Sequence, residues 1–158
     1  MQASVPTLLL ACLLTAPTTS GHAQNLVQKG ELHIQDAWAR ASIGTSRPTA
    51  AFLTIRNLGK QADRLLDVRS PVADRAEVHV TRMSEGIVRM SPAKDVIIEP
   101  GNIMTFAPGS YHIMLMKLQK PLKKGEITRL ILNFERAGNV TIDVPVLGPG
   151  AIRSITRE

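Results

Sequence analysis

The chain has 158 residues and one cysteine, with 44% hydrophobic but only 3% aromatic residues. That length suits one domain with its own core, and the composition requires a core of Leu, Ile, Val and Ala. The net charge of +6 is scattered rather than patched, and few aromatics are available to stack on bases, which argues against a nucleic-acid partner. The densest basic cluster, Lys117, Lys120, Lys123 and Lys124, reads as solubility, with docking on an acidic partner or anionic lipid as the alternative use.

Residues 1–23 contain no Lys, Arg, Asp or Glu and hold a Leu-rich apolar run from Pro6 to Ala16. The ending Gly21-His22-Ala23 resembles a signal-peptide cleavage site, so residues 1–23 read as a signal peptide and the mature chain as periplasmic, although the usual basic leader is missing. The run is too short to span a bilayer. A second reading takes Leu9-Leu10-Ala11-Cys12 as a lipoprotein box with Cys12 lipidated. Cleavage after Ala23 would remove Cys12, the only thiol. That excludes disulfides, thiol redox chemistry and a blue-copper centre of the usual cysteine-ligated kind.

Residues 24–30 read as a flexible leader, 31–147 as one β-domain and 148–158 as a tail. Short β-type runs recur at intervals close to ten, the spacing of an all-β sandwich or barrel. They are Leu32 to Arg40, Thr49 to Asn57, Leu65 to Arg69, Ala76 to Met83, Ile87 to Met90, Val96 to Ile98, Ile103 to Phe106, His112 to Leu118, Ile127 to Phe134 and Val140 to Val146. Turn residues punctuate them, among them Asn57-Leu58-Gly59, Ser84-Glu85-Gly86 and Pro108-Gly109-Ser110. Only Pro71 to Arg75 could hold a helical turn, and no repeat is visible. A single antiparallel β-sandwich is the expected fold.

Within this frame four soft or borderline donors are spaced at definite intervals: His79, Met90, His112 and Met114. Residues two apart on a strand share a face. His112, Met114 and Met116 therefore share one face and Ile113 and Leu115 the other, while His79, Thr81 and Met83 oppose Val78 and Val80. Two strands and a hairpin can converge the four donors on one point. The five methionines after Met1 all lie between Met83 and Met116. Core filling is the plainer role for methionine, and Met83, Met104 and Met116 are either that or a polarizable rim. His33 is far from the cluster and reads as structural or exposed.

The ligand set selects the metal. Thioethers are soft, neutral donors that favour Cu(I), whereas zinc prefers thiolate and imidazole, and calcium and magnesium prefer oxygen. Thioethers also survive an oxidising compartment. The residues thus point to a copper(I) carrier working outside the cytoplasm, binding through neutral imidazoles.

The spacing H-x10-M-x21-H-x-M, met by His79, Met90, His112 and Met114, resembles the signature of the periplasmic copper chaperones called PCu(A)C. The likeness extends through Asp36-Ala37-Trp38-Ala39-Arg40, Asp63-Arg64-Leu65, Ala76-Glu77-Val78-His79 and Pro108 to Met116, and covers about residues 31 to 146. It implies a cupredoxin-like β-barrel that binds one Cu(I) per chain. It also implies delivery of copper to the Cu(A) centre of cytochrome c oxidase, with subunit II or another assembly chaperone as acceptor. Many members have a methionine where this chain has Thr81, and some carry a His- and Met-rich tail that is missing here. The expected molecule is a monomer that is not an enzyme and meets the membrane only through its partner. Copper storage or resistance without a dedicated acceptor is the alternative function.

Overall fold

The computed structural model describes residues 26–152; both readings of the N-terminal segment, and most of the tail, lie outside the described residues. Eleven strands form: β1 (Val27–Lys29), β2 (Leu32–Arg40), β3 (Thr49–Asn57), β4 (Asp63–Ser70), β5 (Ala73–Ser84), β6 (Ile87–Pro92), β7 (Val96–Ile98), β8 (Ile103–Phe106), β9 (Tyr111–Leu118), β10 (Ile127–Phe134) and β11 (Gly138–Leu147). The order β5-β9-β8-β3-β2-β11-β10-β4 returns to β5 through the β4–β5 pairing, so the sheet closes into a barrel of the cupredoxin-like type. Closure removes the free edges of the eight barrel strands, while β1, β6 and β7 each pair on one side only.

Five of the strands have the bounds that alternation and turn residues predict. Three details differ. Residues 24–30, expected as a flexible leader, contain β1, which pairs with β2 from Val27↔Ile34 to Lys29↔Leu32. Pro71 to Arg75 holds no helix: a tight turn pairs Ser70 with Ala73 and β5 starts there. Finally, the barrel is not wholly antiparallel, because β11 runs parallel to β2 and β8 parallel to β9. Pattern within a strand specifies its faces but not its neighbours, so these pairings were not legible.

The core is aliphatic, as the composition requires. Ile34, Leu53, Ile55, Ile113, Leu115, Leu130, Leu132 and Ile142 are all under 2% or at most 2% exposed, and burying such a side chain contributes roughly 1.5–3 kcal/mol. Two residues with left-handed backbone reset the inward phase. Asp36 (φ 55) sits in a bulge between Gln35 and Trp38, before which Leu32 and Ile34 face inward and after which Ala37 and Ala39 do. Lys117 (φ 52) does the same on β9, where the inward phase passes from Ile113 and Leu115 to Leu118. Bulges of this kind re-aim side chains.

Asp63 pins the far end. Its buried carboxylate accepts from the backbone amides of Arg64 (2.8 Å), Arg136 (2.9 Å) and Ala137 (3.0 Å), and so holds the loop between β10 and β11.

Candidate metal centre

The four sequence-predicted donors lie on the outer face of β5 and β9 and on β6, which flanks β5 outside the closed barrel. Cross-strand register places His79 beside His112 and Met90 one same-face step along, although His79 is not among the residues lining the pocket that Met90, His112 and Met114 share. His79 is paired directly with His112, and Thr81 with both Met90 on β6 and, through its amide at 3.2 Å, the Ser110 carbonyl. Met114 lies opposite Glu77 on β5 and Ala50 on β3. The inward partners Val78, Val80, Ile113 and Leu115 are buried, as parity predicts.

His112 carries the clearest chemistry. Its Nδ1 lies 2.9 Å from the Ser110 carbonyl oxygen. A carbonyl can only accept, so Nδ1–H donates and the lone pair is left on Nε2. Nε2 in turn faces the Met90 sulfur at 3.3 Å. Two electron-pair donors brought this close have little to offer each other and much to offer a shared cation. His112 is 4% exposed whereas Met90 is 52% exposed, so one donor is fixed in the wall and the other is open to solvent.

His79 is held from the opposite side. Its Nε2 lies 3.3 Å from Glu77 Oε2, so Nε2–H donates to the carboxylate, and the buried Nδ1 has no hydrogen-bond partner. The two imidazole rings are 6.0 Å apart, centroid to centroid. Glu77 is itself braced by Arg75, whose Nε donates to Oε1 at 2.7 Å. That hydrogen bond, with help from His79 and against the opposing effect of burial, holds the Glu77 carboxyl below its ordinary range. A carboxylate behind a ligand histidine fixes ring orientation and raises basicity. Glu77 was missed in the sequence although the parity that groups His79 with Thr81 extends back to it. The Ser110 carbonyl is a backbone group with no side-chain signal.

Met90, His112 and Met114 line one open pocket of about 320 Å³ with Thr81, Phe52 and Arg40. Of the other methionines, Met83 is 75% exposed on the same hairpin face, Met104 packs against the core, and Met116 is half-buried beyond Met114. Met104 is therefore core filling. Among the described residues no group of three or more His, Cys, Asp or Glu side chains could hold a metal. The donors gathered here are imidazole and thioether, a set suited to a soft monovalent ion.

The closed barrel and this outer-face cluster define a PCu(A)C domain. The chain is similar to the copper-bound PCuAC domain from PmoF2, with a TM-score of 0.68, 26% identity and coverage of 78% of this chain and 98% of that one. It is also similar to the Cu(I) form of DR1885 from Deinococcus radiodurans, with a TM-score of 0.53, 26% identity and coverage of 70% and 74%. More particularly, the chain belongs to the LpqE-like family, described as "Putative lipoprotein LpqE-like", whose model matches residues 32–146. It is 32% identical over 120 residues to "Putative lipoprotein Lxx21020" of Leifsonia xyli subsp. xyli, a match covering 75% of this chain and 71% of that protein.

Proposed function

We propose that this protein is a copper chaperone that carries one Cu(I) on His79, Met90, His112 and Met114 outside the cytoplasm. The observation that carries this reading is the 3.3 Å approach of His112 Nε2 to Met90 Sδ, with the imidazole lone pair turned to the sulfur by the Ser110 carbonyl. The copper-bound relatives support the choice of metal.

Transfer proceeds by ligand exchange. All four donors are neutral, so the loaded centre keeps the positive charge of its ion and an anionic thiolate competes well for it. Solvent-open Met90 is the donor that leaves first, while His112 and His79 stay fixed by Ser110 and Glu77. The acceptor in this reading is the thiolate-rich Cu(A) site of cytochrome c oxidase subunit II, or another assembly chaperone that serves it. The protein acts as a monomeric carrier, with no catalytic turnover.

The envelope location follows from the apolar N-terminal segment and is supported by the lipoprotein names of the family and of the Leifsonia relative. Those names favour anchoring at Cys12 over cleavage after Ala23. Mass spectrometry of the mature N-terminus separates the two.

The test of function mixes the Cu(I)-loaded chain with a soluble, copper-free Cu(A) domain and follows the metal. Transfer that requires His112 and Met114 supports the chaperone. Tight Cu(I) binding without transfer would instead indicate storage or resistance, and no Cu(I) binding would end the reading altogether.

A further inference from the structure

Asp36-Ala37-Trp38-Ala39-Arg40 is part of the family likeness yet supplies none of the four donors. The bulge at Asp36 explains where the motif goes: by sending Ala37 and Ala39 into the barrel core, it turns Trp38 and Arg40 to the other side of the strand, where Trp38 is buried and Arg40 half-buried. There Trp38 is paired with Phe52 on β3, and their rings pack with centroids 4.4 Å apart and planes tilted by 32°. The Arg40 guanidinium carbon lies 5.3 Å from the centroid of the Phe52 ring, and Arg40 Nε donates to the Ala151 carbonyl at 2.8 Å.

The guanidinium is thus fixed by an aromatic face and one hydrogen bond. Among the described residues no hydrogen bond or ion pair takes its Nη1 and Nη2 edge, the edge that binds two oxygens of a planar acceptor. Among the described residues Arg40 takes part in no ion pair, and neither does Arg47, which lines the same pocket. That pocket also holds Met90, His112 and Met114. An orientated cation with no counter-ion among the described residues therefore stands beside a neutral donor set.

We propose that the Arg40 end of this pocket is a carboxylate subsite adjoining the metal centre. Its walls of Phe52, Pro108 and Met114 suit the methylene groups of an Asp or Glu side chain better than a fully hydrated dianion such as phosphate. The use we assign to it, seating an acidic side chain of the protein that exchanges copper, rests on the carrier function. The subsite itself does not.

The test is amide NMR of the full, copper-free chain, titrated at constant ionic strength with sodium acetate, with N-acetyl-Glu-Gly-amide and with sodium phosphate. Saturable shifts are expected at Ala41, Phe52 and Met114, with affinity falling at least about tenfold in Arg40→Gln and partly recovered in Arg40→Lys. Arg129→Gln, which removes an exposed cation paired with Asp143, leaves the shifts unchanged. Tighter binding of the peptide than of acetate marks a partner's side chain as the occupant, and equal binding marks a free small carboxylate. Absence of saturable shifts, shifts that persist in a folded Arg40→Gln chain, or a preference for phosphate would overturn the subsite. Cu(I) titration of the same variants is read separately: Arg40-dependent shifts in a chain that binds no Cu(I) would sink the carrier function and leave the subsite standing.

Discussion

The Nε2 atom of His112 stands 3.3 Å from the sulfur of Met90, although the two residues are on strands that are not paired with each other. β5 lies between β6 and β9 and sets the distance, because His79↔His112 and Thr81↔Met90 are successive same-face positions along it. The centre is therefore a property of three strands in register.

Loss of a donor from this arrangement weakens the metal without unfolding the barrel. Met90 is half-exposed and Met114 half-buried, so Met90→Ala and Met114→Ala remove a thioether with little packing loss. Each is expected to reduce Cu(I) affinity more than about tenfold, or ~1.4 kcal/mol. Competition titration with a Cu(I) chelator measures this, and unchanged affinity in both variants would contradict the ligand assignment.

Glu77 acts one step behind the metal. Glu77→Gln keeps the size of the side chain but weakens the anchor that orients His79 Nε2. Metal affinity is expected to drop by about 10–100-fold, the usual effect of losing such a support. The melting temperature should barely move, because the Arg75–Glu77 ion pair it also loses is at the surface. An affinity like that of the unmodified chain would mean that His79 needs no such support.

These two predictions draw unequally on the sequence. The four donors were legible because their spacing coincides with strand parity, and the bounds of β2, β3, β7, β8 and β10 because turn residues flank alternating runs. What was not legible depends on backbone. Asp36 and Lys117 shift the inward phase through positive φ that nothing in their neighbours announces. Ser110 contributes a carbonyl oxygen, which every residue has. The placement of Arg40 in the pocket wall, and of Trp38 against Phe52 behind it, depends on the first of those bulges, so the motif was visible and its placement was not.

Asp63 should be sensitive even to its isostere. In Asp63→Asn an amide NH2 replaces one of the carboxylate oxygens that accept from the Arg136 and Ala137 backbone. Donor then faces donor in a buried site, and unfolding in urea should show a loss of roughly 2–3 kcal/mol. Cu(I) affinity of the folded fraction should be retained, since the loop lies away from the metal-binding wall.

Ile113 separates stability from binding within one strand. It is fully buried between His112 and Met114 but points into the core. Ile113→Val should cost about 0.5–1.5 kcal/mol of stability by denaturant titration, while leaving Cu(I) affinity within about twofold. Loss of metal binding on this substitution would show that the two faces are not independent.

The most direct measurement of the central claim is X-ray absorption at the copper edge of the chain loaded with one equivalent of Cu(I). Two thioether sulfurs and two imidazole nitrogens are predicted around the ion, with one sulfur lost in Met90→Ala and one nitrogen in His112→Ala. A copper environment of nitrogen and oxygen alone, or one unaltered by both substitutions, would contradict it.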